Sequence, residues 1–239
     1  MCTVSFIPLG KKVLICSNRD EKSTRAIAYK PAMVQTKSGS RLIFPKDPDS
    51  GGTWIALKET GDVAILLNGA FENHIPEYPY RRSRGLIFLD IFESKDPIHS
   101  FNTLLLNKIE PFTLVLFIQG VLHICRWNGW KKYIEQLDEK QAHIWSSVTL
   151  YDLPTREKRA KWFAQWLERN TSPTILDLLS FHQFAGDGNH STDLLMNRDN
   201  KLYTVSITGI VTGDNELEMH YLDLLQHKNY LSSFLTHAQ

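Results

Sequence analysis

Cys2 is the residue whose position could carry the most chemistry. A methionine aminopeptidase removes Met1 when the following residue is small, and cysteine is small enough. The mature chain would then start with a thiol and a free α-amino group on one residue. Their ordinary pKa values are about 8.5 and about 7.7–8.0, close enough for the amine to serve as base to the thiol. An N-terminal threonine uses the same arrangement in covalent catalysis. The plain alternative is a small apolar residue opening a strand.

The run Asn18-Arg19-Asp20-Glu21 follows a second apolar segment and would lie beside the chain start if the two segments pair. Arg19 next to an N-terminal thiol would favour thiolate, and Asp20 could hold the α-amino group by a charge-assisted hydrogen bond. Read alone, the tetrapeptide is also an ordinary polar turn at a strand end. Asn68 stands between an apolar segment and Gly69, where an amide could donate to a developing oxyanion or simply make a turn. His182 and His190 flank a glycine-containing loop and are either pocket residues or polar surface.

The remaining candidates read as structure. Nine histidines show neither HxxxH nor HExxH spacing, so no metal site is expected, and no cofactor either. Cys16 and Cys125 fall within apolar segments and are expected in the core, and no CxxC pair suggests zinc or a disulfide framework. Trp162, Phe163 and Trp166 form a stripe at helical spacing, which is core packing or the wall of a lipophilic groove. Arg81, Arg82 and Arg84, and then Arg156, Lys158, Arg159 and Lys161, read as solvated faces.

The 239 residues can bury one large core, with 42% hydrophobic and 22% charged content and a net charge of +1. That balance offers no field to gather nucleic acid, and no apolar run is long enough for membrane insertion. A single domain over 1–239 in a reducing cytoplasmic setting is the expectation.

Several elements can be read in order. Cys2 to Pro8 and Lys12 to Ser17 flank a tight turn at Leu9-Gly10-Lys11, and Asn18 to Gly52 reads as irregular. Thr53 to Leu57 and Asp62 to Asn68 form a second hairpin, and Phe112 to Gln119 with Val121 to Trp127 a third. Helices are expected over Ser83 to Glu93, from Asp96-Pro97 to about Lys108, over Pro154 to Asn170 and over Thr174 to Phe181. Short strands follow at His143 to Trp145, Asp193 to Asn197, Lys201 to Ile207 and Glu216 to Tyr221. This order predicts an α+β fold of antiparallel sheets, with the first strand inside its sheet because both its faces are apolar.

Cys2, Ser17-Asn18-Arg19-Asp20-Glu21, Gly51-Gly52-Thr53-Trp54, Leu67-Asn68 and Ser83-Arg84-Gly85 occur together in an order that resembles the NRDE, or transport and Golgi organisation, family. That family in turn is similar to N-terminal-nucleophile hydrolases of the bile salt hydrolase and penicillin V acylase type. The resemblance implies an αββα sandwich of two antiparallel sheets flanked by helices. It implies Cys2 as nucleophile, Arg19 and Asp20 as its partners and Asn68 in the oxyanion hole, with Asn18, Ser147 and His190 on the substrate side. The acylases carry a second Asn where this chain has Ser146-Ser147, and family members often carry Arg where it has His190. Hydrolysis of a linear amide or acyl bond of a small molecule is the first functional expectation. The alternative is a non-enzymatic carrier of a hydrophobic ligand, for which the resemblance suggests haem or an acyl-CoA. A third is a degenerate hydrolase fold kept for protein interactions.

Overall fold

Apolar and β-branched residues alternating on both sides of a glycine turn pair as β1 (Thr3–Leu9) and β2 (Lys12–Lys22). Gly10 closes the turn at φ +63°, in the left-handed region that glycine enters without strain. The computed structural model describes residues 3–36 and 38–235, so Cys2 lies outside the described residues. The other strands are β3 (Tyr29–Gln35), β4 (Arg41–Lys46), β5 (Ile55–Lys58), β6 (Val63–Asn68), β7 (Phe112–Ile118), β8 (Val121–Trp127), β9 (Lys132–Leu137), β10 (His143–Ser146), β11 (Asn197–Arg198), β12 (Leu202–Gly213), β13 (Glu216–Asp223) and β14 (Lys228–Phe234). The helices are α1 (Arg84–Phe92), α2 (Pro97–Thr103), α3 (Leu153–Arg169) and α4 (Ile175–Phe184).

The chain divides into two compact units, Met1–Arg25 with Lys140–Gln239, and Ala26–Glu139. Each holds one antiparallel sheet and two of the helices, which makes the fold α+β. In the first unit the strand order is β10-β1-β2-β12-β13-β14, with β11 paired to β12. β1 therefore has neighbours on both sides, as its two apolar faces require. α4 covers one face of this sheet: Leu178, Leu179 and Phe181 pack with Ile7, Leu14, Cys16, Ile207 and Val211. Gly209 permits the approach, since a Cβ there would stand 2.9 Å from Ile175 Cδ1.

The second unit runs β3-β4-β5-β6-β7-β8-β9 in sequence order. Two of the sequence motifs meet inside it. A Cβ on Gly52 would lie 2.4 Å from the Gly85 carbonyl carbon, so the two backbones pass too closely for any side chain. Ser83 caps α1 by accepting from the Leu86 amide at 3.3 Å, and Thr53 donates to the Pro45 carbonyl at 2.6 Å. These contacts give the motif residues a role in holding the fold.

The structure corrects several sequence expectations. The stretch from Asn18 to Gly52, expected to be irregular, contains the end of β2 and all of β3 and β4. β3 is an edge strand with a break in register between Tyr29 and Ala32, where Pro31 costs no ladder hydrogen bond, and its mostly exposed residues hide the two-residue period. β9 and β14 are edge strands of the same largely exposed kind. Of the strand expected from Asp193 to Asn197, the part up to Met196 is bend and irregular chain, and only Asn197–Arg198 pairs, with β12. α2 stops at Thr103 because Leu104 turns extended at φ −61°, ψ 132°, which leaves Leu105 exposed. α4 runs past its expected end at Phe181, as far as Phe184.

Candidate functional site

The pleat of β1 and β2 sorts their residues onto two faces of the first unit's sheet. Register pairs Thr3 with Asn18, Ser5 with Cys16 and Ile7 with Leu14, so Thr3, Ser5, Cys16, Asn18 and Asp20 share the face that α4 covers. Val4, Phe6, Ser17 and Arg19 share the other. The tetrapeptide is strand, not turn, and its alternation sends Arg19 and Asp20 in opposite directions. They are not brought together.

On the helix face, buried polar groups form two linked sets. Asn18 spends its whole amide inside the protein. Its Nδ2 donates to the carbonyls of Leu194 at 2.7 Å and His182 at 3.2 Å, and its Oδ1 lies 2.5 Å from His182 Nδ1. Because that oxygen can only accept, Nδ1 carries the histidine proton. Nε2 then accepts from the Ser5 hydroxyl at 2.7 Å. Burial, aided by the nearby Arg159 charge, pushes the His182 pKa down to about 3, so the ring is neutral at physiological pH. Of the two sequence readings of His182, pocket or surface, the surface one fails, because the residue is fully buried.

The second set starts at Asp20. Its Oδ2 accepts from the Tyr151 hydroxyl at 2.5 Å and its Oδ1 from the Thr204 hydroxyl at 2.6 Å. The Arg159 guanidinium lies 3.6 Å from the centroid of the Tyr151 ring. Arg159 Nη1 donates to Thr3 Oγ1 at 2.5 Å, Nη2 to the Asp193 carbonyl at 2.6 Å and Nε to the Thr192 carbonyl at 3.0 Å. The sequence places Arg159 on a solvated face with Arg156, Lys158 and Lys161, but it is 0% exposed. The reason is helical: it stands one turn before Phe163, the other buried residue of α3. That spacing is readable, and the charge conceals it.

The opposite face carries Arg19, itself buried, with Nη2 3.6 Å from Glu21 Oε2. Across β12 from Ser17 and Arg19 stand Thr208 and Ser206. The hydroxyls of Ser17, Ser206 and Thr208 are buried without hydrogen-bond partners among the described residues. Burial pushes the neighbouring Tyr221 phenol up, and the approach of Ser206 offsets part of that rise without closing a hydrogen bond of proper geometry.

The other expected site residues lie on separate elements. Ser147 follows β10, is buried and shares a 3.0 Å hydroxyl contact with Thr149. His190 has a side chain 82% exposed, with Nδ1 3.8 Å from Asp193 Oδ2. Asn68 ends β6 in the second unit, before Gly69 at φ +78°. Cys16 and Cys125 are buried free thiols, as expected. Burial raises Cys16 well above its usual value and Cys125 to about 12, so neither is a thiolate at neutral pH. Among the described residues no group of three His, Cys, Asp or Glu side chains is placed to hold a metal, and no helix is long and apolar enough to cross a membrane.

A buried carboxylate held by two hydroxyl donors, beside the start of β1, can fix a cation or an amine placed there. A family model described as Transport and Golgi organisation 2 matches residues 1–219. Among solved structures, the penicillin V acylase of Agrobacterium tumefaciens is 12% identical with a TM-score of 0.55, over 98% of this chain and 86% of that one. A Caenorhabditis elegans N-acylethanolamine-hydrolyzing acid amidase ortholog is 11% identical with a TM-score of 0.59, over 87% of this chain and 92% of that one. The conjugated bile acid hydrolase of Clostridium perfringens is 8% identical with a TM-score of 0.55, over 98% and 96%. At such identities the likeness shows the fold. Among curated proteins nothing matches the chain.

Proposed function

The chain belongs to the Transport and Golgi organisation 2 family, and on that premise we propose that it is a cysteine N-terminal-nucleophile hydrolase acting on a linear amide or acyl bond of a small molecule. Cys2, freed by removal of Met1, is the nucleophile. Its thiolate attacks the acyl carbon, the α-ammonium group gives its proton to the leaving amine, and water then releases the acid from the thioester. A backbone N–H donates to the oxyanion. Asp20 holds the α-amino group, and Arg19 favours the thiolate. Asn18 acts as a positioning residue, its amide being spent on His182 and Leu194. Ser147 and His190 stand on the substrate side.

The observation that carries this reading is the register of the first hairpin. Thr3 opposes Asn18, so β2 continues past the first described residue of β1 with Arg19 and then Asp20. Arg19 and Asp20 follow the residue that pairs with Thr3 and lie on opposite faces of the sheet. Asp20 stays on the other side with its two hydroxyl donors. The split of the pair between faces thus becomes a division of work, Arg19 serving the thiol and Asp20 the amine.

An acyl-enzyme is the expected intermediate. Incubating Met1-free protein with a panel of N-acyl amides and activated acyl esters should leave one hydroxylamine-labile acyl group on the Cys2 peptide, read by mass. Acylation at lysines alone, with a hydrophobic ligand retained on purification, would instead support a carrier of the haem or acyl-CoA class.

A further inference from the structure

We propose that Arg159 is a positioning residue for Cys2: its guanidinium grips Thr3, the next residue along, and its buried charge favours the Cys2 thiolate. This rests on the nucleophile reading above. A guanidinium has five N–H donors, and here three are engaged, all to neutral oxygens. No carboxylate of the described residues lies within ion-pair distance of it. A fully buried cation without such a counter-charge is costly to keep, so its retention in the middle of α3 needs a reason.

Its placement supplies one. Nη1 holds the Thr3 hydroxyl, and Ser146 Oγ lies 3.2 Å from the same oxygen, so the start of β1 is fixed from two sides. Stacking on Tyr151 joins this grip to Asp20, since the Tyr151 hydroxyl donates to that carboxylate. One side chain therefore orients the strand that begins beside the thiol and the carboxylate assigned to the amine. Bond lengths alone keep a thiol on residue 2 within about 12 Å of this charge. At an effective dielectric of about 20, a cation at that distance lowers a thiol pKa by about one unit, a tenfold gain in thiolate.

The charged and titratable groups around Arg159 are compatible with this role. His182 on α4 is neutral, and its pKa is lowered first by burial and then by the Arg159 charge itself. Tyr151 is committed to Asp20. The Asp193 carboxylate accepts from the Asp187 amide at 3.0 Å, and Arg198 approaches the Tyr151 ring at 5.2 Å. None of these neutralises the guanidinium.

The test is the pH dependence of iodoacetamide labelling at Cys2 in Met1-free protein, read on the N-terminal peptide. Arg159→Met should raise the labelling midpoint by about one pH unit and slow labelling at pH 7 by up to about tenfold. Arg159→Lys should restore most of the midpoint, and Thr3→Val, which keeps the cation, should shift it less than Arg159→Met. Far-ultraviolet circular dichroism and a melting curve identify any variant that has not folded, and the Lys and Val variants then carry the comparison. An unchanged midpoint in folded Arg159→Met, with wild-type Cys2 reactive, would overturn the assignment and leave the nucleophile reading intact. Wild-type Cys2 no more reactive than Cys16 would bring down both.

Discussion

Cys2→Ser lowers hydrolysis of any substrate the acyl screen yields by about three orders of magnitude, while binding of that substrate changes little. An alcohol beside an α-amino group is far less ionised than a thiol, so the attacking species is almost lost. Binding is spared because the exchange only replaces one sulfur by oxygen. The check is kcat measured beside equilibrium binding of the same compound. A variant that keeps wild-type kcat assigns the chemistry elsewhere, and one that loses binding in step with rate marks Cys2 as a structural residue.

The second large effect is on stability in acid. His182 has a folded-state pKa of about 3 against an ordinary value near 6.5, because it is buried and lies near the Arg159 charge. Between those values the unfolded chain binds a proton that the folded one refuses. Stability is therefore complete above about pH 6.5 and falls as the pH drops toward 3, by roughly 3 kcal/mol at pH 4.5 from this residue alone. Urea unfolding from pH 7 to pH 4.5 should show that loss, and His182→Gln should flatten it. Parallel curves for the two proteins would mean that His182 titrates normally and that the Ser5–His182–Asn18 set is not sealed.

The outline of the fold was legible where burial imposes a period. The hairpin of β1 and β2, the hairpins of β5 with β6 and β7 with β8, and the long amphipathic helix α3 all show strong alternation or helical spacing. β3, β9 and β14 are edge strands with mostly exposed side chains, so their sequences lack the contrast on which such readings depend. The site was legible in part for a related reason. Asn18 to Glu21 is rich enough in polar residues to read as a turn, yet it is an interior strand whose polar groups point to both faces of the sheet. The charge of Arg159 outweighs, in a reading of sequence, its position one turn from Phe163. His182, Tyr151 and Thr204 lie far from the tetrapeptide in sequence, and only the sheet register and the packing of α4 bring them to it.

The central claim is that Cys2 is an activated nucleophile, and competitive alkylation tests it most directly. Protein shown by intact mass to lack Met1 is treated with limiting iodoacetamide at pH 7, and the three cysteine peptides are quantified over time. Cys2 should label about a hundredfold or more faster than Cys16 or Cys125, whose burial holds them as thiols. Labelling of Cys2 no faster than of those two buried cysteines would contradict that claim.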